Sequence, residues 1–141
     1  MAIEMTFHGA ARTVTGSKYR LSVDSSEMLV DAGLFQGPKK LRRLNWEDPP
    51  FRPHHLDSIL LTHTHIDHIG YLPRLVRRGF EGAVYCTSAT ADLARLLLLD
   101  SARLQEEDAD YANRKGFSRH QPAPPRMQRP GHGVDLWRPR S

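Results

Sequence analysis

A dense group of metal-binding side chains directly follows an apolar run in the middle of the chain. Residues 60–70 read Leu-Leu-Thr-His-Thr-His-Ile-Asp-His-Ile-Gly, so His63, His65, Asp67 and His68 fall within six positions. Neutral imidazole suits borderline metals such as zinc, and a carboxylate adds a harder oxygen ligand. The stretch therefore predicts a strand that ends at a hydrolytic zinc site, in preference to an oxygen-only calcium or magnesium site.

The spacing within this group favours two metal ions over one. If the backbone stays extended from Leu61 to His65, the side chains of His63 and His65 project to the same side, because side chains alternate along an extended chain. Asp67 and His68, at the turn into the next helix, then point differently and can reach a second ion. Two zinc ions about 3.5–4 Å apart can hold a bridging hydroxide at neutral pH. The alternatives are a structural metal site, or histidines that only cap and hydrogen-bond.

Apolar runs separated by turn residues predict a mixed α/β layer around this group. The predicted strands lie at 5–7, 19–23, 28–30, 58–61 and 83–86, and the strand at 58–61 is expected to be buried. A loop with a helical turn near 40–44 and a helix from Leu72 that closes at Gly79 lie between them. Two helices follow, one from Thr87 or Ser88 through Leu99 and one from Asp100 or Ser101 to about Arg114, ending at Gly116.

Several general features of the sequence indicate the cellular compartment. A length of 141 residues suits one modest domain or part of one. The longest apolar stretch, 96–99, is too short to cross a bilayer, and no signal pattern precedes Ile3. The lone Cys86 cannot form an internal disulfide. Together they predict a cytoplasmic protein that does not engage a membrane.

Charge divides the chain into two parts. The formal net charge is +4, but residues 1–118 carry 15 basic and 15 acidic side chains. Residues 119–141 carry five arginines against the single acid Asp135, are rich in proline, and have no apolar periodicity. We expect one folded unit at 1–118 and an Arg/Pro-rich tail at 119–141 that is disordered or translated out of frame.

Several motifs in combination resemble a known superfamily. The stretch from His63 to His68 is similar to the H-x-H-x-D-H signature of the metallo-β-lactamase superfamily, and 29–33 resembles its first motif, a strand ending in Asp and Gly. Three further stretches resemble the β-CASP branch of RNA-processing nucleases, which includes the cleavage and polyadenylation endonuclease. They are Gly-Ala-Ala-Arg-Thr-Val-Thr-Gly-Ser at 9–17, Gly-Leu-Phe-Gln-Gly-Pro at 33–38, and Asp-Ala-Asp-Tyr-Ala-Asn-Arg-Lys at 108–115.

The resemblance implies a fold and a set of roles. The fold would be the N-terminal part of an αββα sandwich, with one mixed sheet plus helices. His63 and His65 would ligate a first zinc ion, and Asp67 and His68 a second, with Asp67 as the metal-site carboxylate and a zinc-bound hydroxide as the nucleophile. Asp31 would not bind metal but would orient the ligands. The implied reaction is hydrolysis of RNA phosphodiester bonds by a cytoplasmic ribonuclease; the partner is RNA, and homo-oligomers are possible.

The resemblance also implies features that cannot be placed in this chain. Three more metal ligands, a second sheet and an inserted domain would be expected, whereas the only histidines after Arg119 are His120 and His132, and the only acid is Asp135. We therefore expect a truncated or frameshifted chain that is inactive by itself, with one apolar sheet face left uncovered. A genuine disordered tail is the alternative.

Two other functions stay open at this point. The same metal motif serves hydrolases of small esters, thioesters or lactones, and a non-catalytic fragment could bind nucleic acid through its basic tail. Basic residues at 39–43 and 74–78 could contact RNA phosphates, although solvated helix faces are the commoner explanation. The stretch from Gly9 to Lys18 does not support ATP binding, because its glycine spacing and its Gly-Ser-Lys order differ from those of a P-loop.

Overall fold

The computed structural model of the protein describes residues 1–116, so the tail at 119–141 lies outside the described residues. The elements are β1 (Ile3–Gly9), β2 (Lys18–Val23), β3 (Ser26–Val30), α1 (Lys39–Arg43), a 3-10 turn (Pro53–His55), β4 (Ser58–Leu60), α2 (Ile66–Ile69), α3 (Leu72–Arg77), β5 (Ala83–Tyr85) and α4 (Ser88–Lys115).

The five strands form one mixed sheet in the order β1-β2-β3-β4-β5. Strands β1 to β3 are antiparallel neighbours, whereas β4 lies parallel to both β3 and β5. Parallel neighbours need crossover connections, and the crossover between β4 and β5 carries α2 and α3. This arrangement confirms the predicted α/β class with one mixed sheet plus helices.

The two faces of the sheet differ in what covers them. On one face Leu29 and Ile59 are completely buried against residues of the helices, including Ile69, Leu75 and Ala94. These side chains form the main core of the described residues. Since residues alternate between faces, the strand neighbours of Leu29 and Ile59 point to the opposite side.

The opposite face is apolar and exposed within residues 1–116. Along β1, Ile3, Met5 and Phe7 are 67%, 52% and 57% exposed, and on β4 and β5 the paired residues Leu60 and Tyr85 are 38% and 50% exposed. The strand register joins them into one surface, because Phe7 lies opposite Tyr19, which lies opposite Val30, which lies opposite Leu60. The uncovered apolar face expected from the sequence is thus observed in the part that the structure describes.

The segment that carries the histidines differs in detail from the prediction. Strand β4 ends at Leu60 and not at Leu61, and Leu60 is not buried, because it points to the uncovered face. Residues 61–65 belong to no strand, although the N–H of Leu61 still donates to the carbonyl of Tyr85 at 2.8 Å. Helix α2 begins at Ile66, so Asp67 and His68 lie on a short helix. Gly79 adopts the expected left-handed conformation (φ +100°) after α3.

The two helices predicted between Thr87 and Gly116 form one continuous helix in the structure. Helix α4 runs without a break for 28 residues, from its N-cap Thr87 to Gly116, which closes it with φ +68°. Asp100 and Ser101 cap no second helix, because α4 continues through them, and their side chains contact residues three and four positions further along. Asp100 pairs with Arg103 at 3.0 Å, and the Ser101 hydroxyl accepts from Gln105 at 3.1 Å. Within residues 1–116, no helix is long and apolar enough to cross a membrane.

Candidate metal centre

Asp31 occupies the end of β3 in a conformation that few residues other than glycine adopt. Its φ is +62°, and only 2% of the residue is exposed. Its backbone N–H donates to the carbonyl of Leu60 at 2.8 Å, which continues the pairing of β3 with β4 for one more residue. The turn directs the buried carboxylate toward the segment that follows β4, and a non-glycine residue with φ above zero is a feature often found at functional sites.

Three hydrogen bonds hold the Asp31 carboxylate. Oδ1 accepts from the backbone N–H of Thr62 at 2.8 Å, and Oδ2 accepts from the Thr62 hydroxyl at 2.8 Å. Oδ2 also lies 2.8 Å from His68 Nδ1. One carboxylate therefore fixes the start of the histidine segment and the imidazole on α2.

These contacts determine which ring nitrogens carry protons. An ionised carboxylate only accepts, so Thr62 donates its single hydroxyl proton to Asp31. The Thr62 oxygen, 2.9 Å from His63 Nδ1, must then accept a proton from that ring. His68 likewise donates from Nδ1 to Asp31. In the neutral state both imidazoles therefore keep the lone pair on Nε2, the form that binds a metal.

The remaining histidine and the second carboxylate lie around this pair. The ring of His63 is 3.9 Å from that of His68 and 4.7 Å from that of His65, centroid to centroid. Asp67 Oδ2 lies 3.5 Å from His68 Nε2. All four side chains predicted as ligands are thus gathered in one place.

The tightest grouping differs from the predicted pairs. Ligand atoms of Asp31, His63 and His68 all lie within 4.8 Å of one another, whereas His65 is exposed at the N-terminus of α2. The assignment of His63 and His65 to one zinc ion, and of Asp67 and His68 to another, stays a prediction, as does the orienting role of Asp31. Sequence reasoning missed Thr62, although a hydroxyl directly before the first histidine was visible in the sequence.

Backbone hydrogen bonds attach α2 to neighbouring loops. The carbonyls of Ile66, Asp67 and His68 accept from Leu34, Ser17 and Ala32 at 3.1, 2.9 and 2.7 Å. A helix of four residues leaves most of its carbonyls without a partner inside the helix, so these contacts satisfy them and fix the position of α2. Both loops belong to stretches that resemble β-CASP motifs, which gives those stretches a structural role here.

Gly33 permits this close approach. A Cβ atom built at Gly33 would overlap the carbonyl group of Asp67 and crowd the amide of His68. Any side chain at this position would displace α2 from the loop. The glycine at the end of the Leu-Val-Asp-Ala-Gly stretch is therefore explained by the passage of α2 over it.

Lys18 is buried behind the same loops. It is 3% exposed, and its Nζ lies 4.3 Å and 4.6 Å from the ring centroids of Phe35 and Tyr71. Among residues 1–116, the Nζ group donates one hydrogen bond, to the carbonyl of Gly16 at 3.3 Å. Burial without an acidic partner lowers the pKa of Lys18 to about 7, although the two aromatic rings favour the charged form.

Comparison with known proteins agrees with this fold. The family model described as the metallo-beta-lactamase superfamily matches residues 19–138. The chain therefore belongs to the metallo-β-lactamase superfamily.

Individual relatives narrow the resemblance to the β-CASP branch. Ribonuclease TTHA0252 of Thermus thermophilus is 43% identical over 99 residues, which are 70% of this chain and 22% of the relative. Transcription termination factor FttA of Methanocaldococcus jannaschii is 32% identical over 115 residues, which are 79% of this chain and 18% of the relative. The chain thus spans about a fifth of the length of these relatives. Among solved structures, the metallo-β-lactamase fold protein YhfI of Bacillus subtilis has a TM-score of 0.38 at 25% identity, covering 54% of this chain and 30% of its own.

Proposed function

We propose that this chain belongs to a zinc-dependent ribonuclease that hydrolyses phosphodiester bonds during RNA processing or decay in the cytoplasm. His63, His65, Asp67 and His68 would hold the metal, and Asp31 and Thr62 would orient the imidazoles. The observation that carries the proposal is the common orientation of His63 and His68, whose Nδ1 atoms both hydrogen-bond toward Asp31, one of them through Thr62.

The chemistry of these side chains fits zinc. Two neutral imidazoles with free Nε2 atoms and a nearby carboxylate are the ligands that zinc prefers in hydrolases. When bound, zinc supplies Lewis-acid activation of water near neutral pH. The protein's own contribution is to fix the imidazole tautomers and, through the buried Asp31, to strengthen their donation.

RNA is the substrate that the relatives favour. One relative is named a ribonuclease, and several are named transcription termination factors. Both names concern proteins that meet RNA, whereas nothing in residues 1–116 favours a small ester, thioester or lactone. We extend the RNA substrate to this chain on that basis.

Metal binding and cleavage test the proposal together. We expect the purified chain to bind zinc in equilibrium dialysis, and His63→Asn and His68→Asn to reduce that binding. Because the chain spans about a fifth of its relatives, turnover of labelled RNA should be slow or undetectable, and any turnover should disappear in both variants. A chain that binds no zinc would contradict the proposal. Hydrolysis of a small ester or lactone without RNA cleavage would favour the alternative function, a hydrolase of small esters, thioesters or lactones.

A further inference from the structure

Seven basic side chains lie on two helices that flank the segment 44–48. We call this set the basic surface: Lys39, Lys40, Arg42 and Arg43 on α1, and Arg74, Arg77 and Arg78 on and directly after α3. Residues 1–116 carry 15 basic and 15 acidic side chains in total, so nearly half of the basic side chains of this neutral part of the chain are concentrated here.

Helix α1 carries its charge without visible compensation. Four of its five residues are basic, all four are exposed, and the helix has no acidic residue in its first turn. Lys39 lies three and four positions before Arg42 and Arg43, where like charges repel and destabilise a helix. Among the described residues, none of the four forms an ion pair within 4.0 Å. An anionic ligand would remove this repulsion.

The three arginines of the α3 part share one face of the helix, and an acidic residue neutralises part of their charge. Arg74, Arg77 and Arg78 lie at positions i, i+3 and i+4, which share one side of a helix. Asp48 pairs with Arg78 at 2.6 Å and with Arg74 at 3.8 Å, but it is itself largely exposed. Arg77 is exposed and has no ion-pair partner among the described residues. The segment 44–48 itself carries two acids, Glu47 and Asp48.

Hydrogen bonds connect the basic surface to the loops that carry the candidate metal centre. The buried Asn45 side chain accepts from the backbone N–H of Phe35 at 2.7 Å and donates to the Phe35 carbonyl at 2.8 Å. This ties the end of α1 to the loop that begins at Asp31. On the other side, Arg74 donates to the carbonyl of Trp46, and Tyr71 donates to that of Glu47 at 3.0 Å. Helix α3 itself follows the α2 segment that carries His68.

We infer that the basic surface binds the phosphate backbone of RNA and guides the strand toward the metal centre. This inference rests on the proposed function. Phosphates repeat along the strand and accept from lysine and arginine without demanding a fixed geometry. This suits the six exposed side chains of the set, whereas Arg74 is partly buried and holds the segment 44–48 in place. A protein partner would need matching apolar area, and the large apolar side chains exposed in the segment between the helices are Leu44 and Trp46, each only 38% exposed.

The test measures RNA binding in the absence of divalent metal. A fluorescent single-stranded RNA of about 20 nucleotides is titrated with the 141-residue chain in EDTA at several KCl concentrations, since each lost phosphate contact lowers the salt slope by about 0.7 for single strands. The variant Lys39→Gln/Lys40→Gln/Arg43→Gln removes three charges from α1. The matched control, Arg95→Gln/Arg114→Gln/Lys115→Gln, removes three exposed charges from α4. Both retain the arginine-rich tail.

We expect the α1 variant to bind RNA about tenfold more weakly at about 0.1 M salt and to have a salt slope smaller by about 2, whereas the control changes little. Circular dichroism and urea unfolding check that both variants are folded. Equal weakening by the two variants, or no weakening by the α1 variant, would overturn the inference. The inference would also be overturned if polyglutamate displaced the labelled RNA as effectively as unlabelled RNA of equal charge does. That result would indicate that the basic surface binds an acidic protein. Because EDTA removes zinc, a failure here is separate from a failure of hydrolysis.

Discussion

The hydroxyl of Thr62 lies 2.8 Å from Asp31 Oδ2 and 2.9 Å from His63 Nδ1, so it connects a carboxylate at the end of β3 to an imidazole after β4. Asp31 itself reaches His68 directly, but it contacts His63 only through this hydroxyl. A single acidic residue is therefore hydrogen-bonded to one imidazole directly and connected to a second through Thr62. Hydrogen bonds of this kind raise the basicity of metal-binding imidazoles and fix their direction.

Replacing Thr62 with valine tests the indirect connection. Valine has nearly the same shape but lacks the hydroxyl, so His63 loses the acceptor that holds its proton on Nδ1. We expect Thr62→Val to weaken zinc binding about tenfold, at the low end of the range for such substitutions. Competition with a chromophoric chelator measures the affinity, and nitrogen-15 NMR of the imidazoles measures the fraction of each His63 tautomer.

Thr62→Ser is the control, because serine retains the hydroxyl. It should restore both the zinc affinity and the Nδ1–H tautomer of His63. If Thr62→Val kept the wild-type tautomer and zinc affinity, then Thr62 would contribute only to packing.

Asp31→Asn separates the charge of the carboxylate from the backbone conformation. Asparagine tolerates φ near +62°, so the turn should survive, but its amide group replaces an acceptor with a donor. One of the groups at Thr62 or His68 would then face another donor, at a cost of about 1–3 kcal/mol in the free energy of unfolding. We expect zinc affinity to fall further than in Thr62→Val, because both imidazoles lose their anchor.

Asp31→Ala adds backbone strain to the same loss. Alanine at a left-handed position lowers the free energy of unfolding by an additional amount of about 1–2 kcal/mol. In urea unfolding, the free energy of unfolding should therefore be highest for the wild type, lower for Asp31→Asn and lowest for Asp31→Ala. Equal zinc affinity in wild type and Asp31→Asn would contradict an orienting role for the carboxylate.

The sequence predicted much of this region because its signals are local. The strand that leads to the histidines, the left-handed Gly79 and the capping residue Thr87 each follow from neighbouring residues. The limits of local reasoning appear at Asp100 and Ser101, which resemble a helix start. Whether such residues cap a helix or make side-chain contacts within one depends on the packing of the whole element, and here α4 continues through them.

The parts that the sequence did not predict depend on contacts between distant residues. Thr62 and Asp31 are 31 positions apart, so their hydrogen bonds follow from the parallel pairing of β3 and β4. Lys18 begins a strand and would ordinarily be placed at the surface, yet it is buried between Phe35 and Tyr71. A single sequence contains no signal for such pairings, because they arise only when three loops meet.

Lys18→Met tests the burial of that amino group. Since its pKa is lowered from 10.5 to about 7, the unfolded chain binds more protons than the folded chain between those pH values. The free energy of unfolding should therefore rise with pH from about pH 7, by up to about 1.4 kcal/mol per unit, and be insensitive to Lys18 below that. Lys18→Met should remove this slope and stabilise the protein at pH 6.

Urea unfolding between about pH 6 and pH 8.5 measures this slope. The range stops there because burial raises the pKa values of Tyr71 and Cys86, whose titration opposes that of Lys18 at higher pH. The exposed Lys115→Met is the matched control and should leave the slope as in wild type. A wild-type slope in Lys18→Met would show that other groups cause the pH dependence.

Gly33→Ala should be the most damaging small substitution near the metal centre. The added Cβ would overlap the Asp67 carbonyl, so α2 must move and the contacts that hold His68 must change. We expect a loss of about 3 kcal/mol or more in the free energy of unfolding, with loss of zinc binding. Gly37→Ala is the comparison: it has φ +93° but no atom within 4 Å of the new Cβ, so only backbone strain of about 1 kcal/mol is expected. Similar losses in the two variants would contradict the close-approach explanation.

The uncovered sheet face makes a prediction about association in solution. Met5 and Phe7 are 52% and 57% exposed and belong to the apolar surface that crosses the sheet, and contiguous exposed apolar surface favours association. Met5→Thr/Phe7→Thr should therefore reduce both the binding of a hydrophobic dye and self-association in sedimentation experiments. Stability should change by about 1 kcal/mol or less, because these side chains gain little from burial. Thr6→Val, on the opposite face of the same strand, should leave both measurements unchanged. Unaltered dye binding and sedimentation in the double variant would mean that another surface, such as the exposed leucines of α4, controls association.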